Sequence, residues 1–131
     1  MRDTLFTAPE MAAAFSGRTF VQRMLDFEAA LAHAHARAGL VPQTAAEAIH
    51  SKCRADLFDL DALFREAAEA ATPAVPLVRM LPALVEGDAK KFVHWGATSQ
   101  DAVDTAIMLQ MRDGLDLLSQ RLVEIGAACA A

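Results

Sequence analysis

The segment His94-Trp95-Gly96-Ala97-Thr98-Ser99-Gln100-Asp101 brings an imidazole, two hydroxyls, an amide and a carboxylate into eight consecutive residues. Apolar residues at helical spacing begin just after it, so the segment straddles a loop and the first turn of a helix. Backbone N–H groups at a helix start are unpaired and point outward, and the helix dipole adds partial positive charge there. The hydroxyls of Thr98 and Ser99 would supplement those donors. Gly96 would let a ligand approach the backbone, and His94 could donate to, or protonate, an anionic group. Such a set suits a carboxylate or a phosphate. A plain helix start explains some of the same residues: Thr98 or Ser99 as N-cap, and Asp101 as a first-turn acid favoured by the dipole. Spacing alone does not separate these readings.

The elements that must position this segment are helical almost throughout. Ser16 can cap a helix running to about Ala38, with Gly39 just past its end. Phe20, Met24, Phe27, Leu31 and Ala34 fall three or four apart and predict its inward face. Pro42 suits the first turn of a short helix through Ile49. Asp59 can cap the next helix, with Leu60, Leu63, Phe64, Ala67 and Ala71 inward and Thr72-Pro73 ending it. Pro76 suits the first turn of a helix to Glu86, interrupted by Pro82 and stopped by Gly87. Between Gly87 and Ala97 the pattern breaks, and Phe92, Val93 and Trp95 predict a short extended piece. From Thr98 a long helix carries Val103, Ile107, Met111, Leu115, Leu118, Leu122, Ile125 and Cys129 on one stripe, about 40 Å of helix at 1.5 Å per residue. No stop follows Ile125, so the sequence reads as cut inside a helix. The class is all-α.

Composition narrows the function. Charges are interspersed and the net charge is -5, which makes duplex nucleic acid a poor partner. No apolar run approaches the ~20 residues of a membrane span. The candidate near the start, Met11 to Phe15, is too short for a signal core and is flanked by Arg2, Asp3 and Glu10. A cytoplasmic protein is expected. Cys53 and Cys129 are isolated, signalling neither zinc nor a disulfide, and Cys129 on its apolar stripe is expected to be buried. His33 and His35, two apart on a helix, face different ways and form no metal pair, and His50 is expected just past a helix end. Met24, Met80, Met108 and Met111 are expected in the core, and Arg79 on the surface. No glycine-rich phosphate loop and no Gly-x-Ser-x-Gly elbow occurs.

The stretch Val93 to Asp101, with its Thr-Ser-x-Asp core and with Asp104-Thr105 beyond, resembles the first signature region of the fumarase/aspartase superfamily. It is most similar to the lactonizing and adenylosuccinate lyase branches. Phe6-Thr7-Ala8-Pro9, the run Met24 to Ala32, Ala38-Gly39-Leu40-Val41-Pro42 and Val75-Pro76-Leu77-Val78 resemble the lactonizing branch, whose members act on 3-carboxy-cis,cis-muconate. Adenylosuccinate lyases carry a histidine-aspartate pair where this chain has Thr72-Pro73-Ala74-Val75. The resemblance implies an N-terminal helical domain at 1-97 and the start of a central helical bundle at 98-131. It implies a cofactor-free homotetramer, with no metal, that takes a small tricarboxylate and builds each active site from several subunits. Reaction would be intramolecular addition of a carboxylate oxygen across a double bond, giving 4-carboxymuconolactone in protocatechuate degradation. Thr98 and Ser99 resemble the pair that holds a substrate carboxylate, His94 matches a pocket histidine, and Gln100 is expected among the substrate-binding residues, with Asp101 beside it to orient the helix start. The main catalytic residues, and two further signature regions, would lie beyond residue 131, so these 131 residues alone are expected to be inactive. Another lyase of the superfamily, or a helical interaction module without chemistry, would share many of these features.

Overall fold

A computed structural model describes residues 6–130; residues 1–5, with Arg2 and Asp3, and residue 131 lie outside the described residues. The described residues form helices joined by turns, with no strand among them. In order these are α1 (Pro9–Ala14), α2 (Gly17–Arg37), α3 (Gln43–Lys52), a 3-10 turn (Ala55–Leu57), α4 (Leu60–Ala70), α5 (Ala74–Leu84), a 3-10 helix (Gly87–Phe92) and α6 (Ser99–Cys129).

Local signals set most boundaries. The Ser16 hydroxyl accepts from the N–H of Thr19 at 3.1 Å and starts α2, and Gly39, at φ +73°, follows its end. Asp59 accepts from the N–H of Ala62 at 2.9 Å and starts α4. That helix ends at Ala70, before Thr72-Pro73, with Ala71 in the left-handed region as its C-cap. Pro42 is the N-cap of α3 rather than a residue of its first turn, and α3 continues past Ile49 to Lys52. His50 therefore lies inside the last turn of α3 rather than beyond it.

Helix α2 runs through the centre and packs against both α3 and α6. Two neighbours bury more than one face, which corrects the predicted inward row. Val21, Met24, Leu25, Glu28, Ala29 and Ala32 are the buried residues of α2. Of the predicted row, Met24 is buried, Phe20 and Phe27 pack at the edge of the core, Leu31 is half-buried and Ala34 is exposed. Leu63, Leu77, Leu81 and Ile49 complete the centre from α4, α5 and α3. Leu60 packs against it, whereas Phe64 and Ala71 are exposed. Two glutamines tie turns to this frame. The Gln22 amide donates to the Cys53 carbonyl at 3.1 Å and accepts from the Ala55 N–H at 2.9 Å. The Gln110 amide donates to the Ala14 and Ser16 carbonyls at 2.8 and 3.3 Å.

The long helix starts where predicted but turns a different face inward. Its buried residues are Ala102, Ala106, Gln110 and Gly114, four apart, a narrow row that lets α6 approach α2 closely. At Gly114 an added Cβ would lie 2.7 Å from the Phe15 ring, so glycine makes room for that ring. The large side chains Ile107, Met111, Leu115, Leu118, Leu122 and Ile125 are exposed, as is Cys129, contrary to the expected burial. Met108 is exposed with them, while Met24 is buried and Met80 packs against the core. The expected extended piece at Phe92–Trp95 is instead the end of a 3-10 helix followed by turns. No helix among the described residues is long and apolar enough to cross a membrane.

Candidate functional site

The loop before α6 is shaped by two residues in the left-handed region, His94 at φ +56° and Gly96 at φ +76°. For glycine this conformation carries no steric cost; for histidine it is uncommon and has to be held by surrounding contacts. A Cβ on Gly96 would approach the His35 ring at 3.9 Å, an ordinary contact, so backbone conformation rather than lack of space demands glycine there. Trp95 rests edge-on against His35 and Phe92, with ring centroids 5.5 and 6.1 Å apart.

The group that holds His94 is Glu28, from the middle of α2. Its carboxylate accepts from the His94 backbone N–H at 3.1 Å through Oε2 and pairs with the ring Nδ1 at 2.5 Å through Oε1. Glu28 is 1 % exposed and the His94 side chain 12 %. Burial pushes the Glu28 carboxyl above its usual range, and the hydrogen bond from His94 opposes that shift. Because an ionised carboxylate only accepts, Nδ1 carries a proton and Nε2 is left as the ring atom available to a ligand. No hydrogen bond among the described residues uses Nε2. Glu28 was not singled out from the sequence, where a lone acid on a mid-helix face reads as solvated; its only signal was a carboxylate flanked on both sides by buried apolar positions.

At the helix start itself, Thr98 is the N-cap and forms a capping box with Asp101. The Asp101 carboxylate accepts from the Thr98 N–H at 3.0 Å. Ser99 is therefore the first helical residue, not the cap. Its half-buried side chain makes no hydrogen bond to any described residue. Gln100 is exposed, and its amide donates along the helix to Asp104 at 2.5 Å. Of the residues expected at the site, Thr98 and Ser99 stand at the start of α6 and His94, paired with Glu28, in the loop just before it, whereas Gln100 is engaged on the outer face of α6.

The remaining candidates lie elsewhere. His33 and His35 do face different ways: His33 Nε2 is 2.7 Å from His50 Nδ1, bridging α2 to α3, while His35 turns toward Trp95. Cys53 is buried, and desolvation, reinforced by the negative charge of Glu28, pushes its thiol up to about 12, so it is no nucleophile at neutral pH. Arg79 pairs with Glu66 at the surface, as expected. No cluster of three or more potential metal ligands occurs among the described residues.

Comparison with known proteins gives a consistent picture. The chain is 50% identical over 123 residues to a 3-carboxy-cis,cis-muconate cycloisomerase of Pseudomonas putida, covering 92% of this chain and 29% of that protein. The crystal structure of the Pseudomonas putida 3-carboxy-cis,cis-muconate lactonizing enzyme superposes with a TM-score of 0.88 at 50% identity, over 90% of this chain and 28% of that one. An adenylosuccinate lyase of Methanocaldococcus jannaschii is more distant, at 32% identity over 94% of this chain. The chain thus spans under a third of the length of the relatives it matches. A family profile described as lyase matches residues 4–129, and on that match the chain belongs to the lyase family.

Proposed function

We propose that the complete protein is a cofactor-independent cycloisomerase that closes 3-carboxy-cis,cis-muconate to 4-carboxymuconolactone, and that this chain supplies one corner of its active site. The observation that carries the site is the Ser99 hydroxyl. It stands at a helix start already capped by Thr98 and Asp101, and it makes no hydrogen bond to any described residue. Ser99, Thr98, the first N–H groups of α6 and His94 Nε2 then bind a substrate carboxylate. Gln100, bonded to Asp104, and Asp101 hold the helix start in place.

In the reaction a carboxylate oxygen adds across the ring-closing double bond and forms the new C–O bond. The electron pair moves toward the carboxylate conjugated to that bond, giving an aci-carboxylate, and a proton is then delivered to the neighbouring carbon. Donors fixed around that carboxylate stabilise the charge as it develops. The residue that moves the proton belongs, in this reading, to the part of the enzyme beyond residue 131. The same proposal includes a homotetramer in the cytoplasm. Its central bundle starts at residue 98 and covers the apolar face of α6, and residues 1-97 form the helical domain beneath the site. A helix with large apolar residues exposed along its outer face needs such a cover.

The test is direct. The complete protein is mixed with 3-carboxy-cis,cis-muconate and the loss of its ultraviolet absorbance is followed, with adenylosuccinate as a second substrate. Consumption of the first alone is expected. Consumption of adenylosuccinate instead would assign the protein to the other branch, and consumption of neither would overturn the proposal.

A further inference from the structure

Glu28 is the one buried carboxylate among the described residues. Taking a carboxylate out of water costs several kcal/mol unless a partner compensates it. Elsewhere this fold ties its turns with neutral amides, Gln22 for the Cys53–Ala55 turn and Gln110 for the α1–α2 junction. A glutamine at position 28 could likewise accept from the His94 N–H and hold the turn. The charge adds something an amide cannot supply. Being acceptor-only, it obliges Nδ1 to carry a proton, and it compensates a positive ring. In that charged form Nε2–H is a donor. In the neutral ring with Nδ1 protonated, Nε2 holds a lone pair and would repel a carboxylate. His94 is also locked in the left-handed backbone region by the same Glu28 through its N–H, so one residue sets both the placement of the ring and its proton inventory.

We propose that Glu28 is a positioning residue which, without touching substrate, keeps His94 protonated on Nδ1 and its Nε2 donating to the substrate carboxylate. The inference rests on the reading of the α6 start as a carboxylate-binding corner. It is tested on the complete enzyme by a double-mutant cycle of Glu28→Gln and His94→Ala, with thermal melting measured in parallel. If Glu28 acts through His94, Glu28→Gln lowers kcat/KM by about 10- to 100-fold, by analogy with the loss seen when the partner that orients a metal-bound histidine is removed. The double variant then falls no further than His94→Ala alone. Glu28→Asp, which keeps the charge, recovers part of the loss.

A Glu28→Gln enzyme that melts earlier but keeps its kcat/KM would overturn the inference, and so would losses that simply multiply in the double variant. Should Glu28→Gln fail to fold, the same cycle is run with Glu28→Asp and judged by the same non-additivity. If the parent enzyme turns over no 3-carboxy-cis,cis-muconate, the functional reading fails. Glu28 is then judged on the ring itself, by nitrogen-15 NMR of labelled histidines. A His94 ring protonated on both nitrogens in the parent, and not so fixed in Glu28→Gln, sustains the inference; a neutral parent ring, with either nitrogen bare, overturns it.

Discussion

Replacing Ser99 by alanine separates binding chemistry from helix capping, because the structure gives the cap to its neighbour. Thr98 is the N-cap with Asp101 as its box partner, and Ser99 is the first helical residue with no hydrogen bond to the described protein. Serine is also a slightly poorer helix former than alanine, by no more than about 0.5 kcal/mol. Ser99→Ala should therefore leave the melting temperature unchanged or raise it slightly, where a cap would have cost about 1 kcal/mol. Thr98→Ala, by contrast, should show that loss. In catalysis the order reverses. A hydrogen bond to a charged group contributes roughly 1.5–3 kcal/mol, so Ser99→Ala in the complete enzyme should lower kcat/KM by about 10- to 150-fold. The assay is steady-state kinetics on 3-carboxy-cis,cis-muconate beside circular-dichroism melting of both variants. A Ser99→Ala enzyme within about twofold of the parent in kcat/KM would refute the reasoning, since no described residue bonds to that hydroxyl.

Other outcomes follow from packing and charge. Leu77 is wholly buried between α5 and the core, so Leu77→Ala should lower stability by about 2–5 kcal/mol in chemical denaturation. Arg23 on α2 holds the Asp113 carboxyl on α6 below its ordinary value, chiefly by the hydrogen bond of its guanidinium, at 2.5 Å. A depressed carboxyl stabilises the fold above its unfolded value of about 4 and ceases to do so as pH falls through the folded value. Asp113→Asn should thus cost about 0.2–1 kcal/mol at neutral pH, less at high salt, and the difference from the parent should vanish in acid. Leu118→Gln combined with Leu122→Gln, on the exposed face of α6, should weaken self-association in light scattering without lowering helix content in circular dichroism.

The lyase signature and most helix boundaries were legible in the sequence because their causes are local. Ser16, Asp59 and Thr98 each start a helix with their own side chain or that of a residue three positions on, and Gly39 takes a backbone conformation that other residues avoid. The helical class followed from apolar spacing, and the expectation that residues 94–101 suit an anion followed from residue types at a helix start. Spacing could not say which apolar face meets which neighbour. A row of large residues from Ile107 to Ile125 reads as a core face, yet within this chain α6 packs through Ala102, Ala106, Gln110 and Gly114, because small side chains permit the closest helix approach. The burial of Glu28 likewise depended on two helices closing over α2, and its pairing with a histidine 66 positions away on contact between α2 and the α6 loop. Which hydroxyl caps α6 and which is left free was open to either neighbour in sequence. It was decided only when the backbone entered the helix at Ser99, placing Thr98 at the cap and leaving the Ser99 hydroxyl without a partner among the described residues.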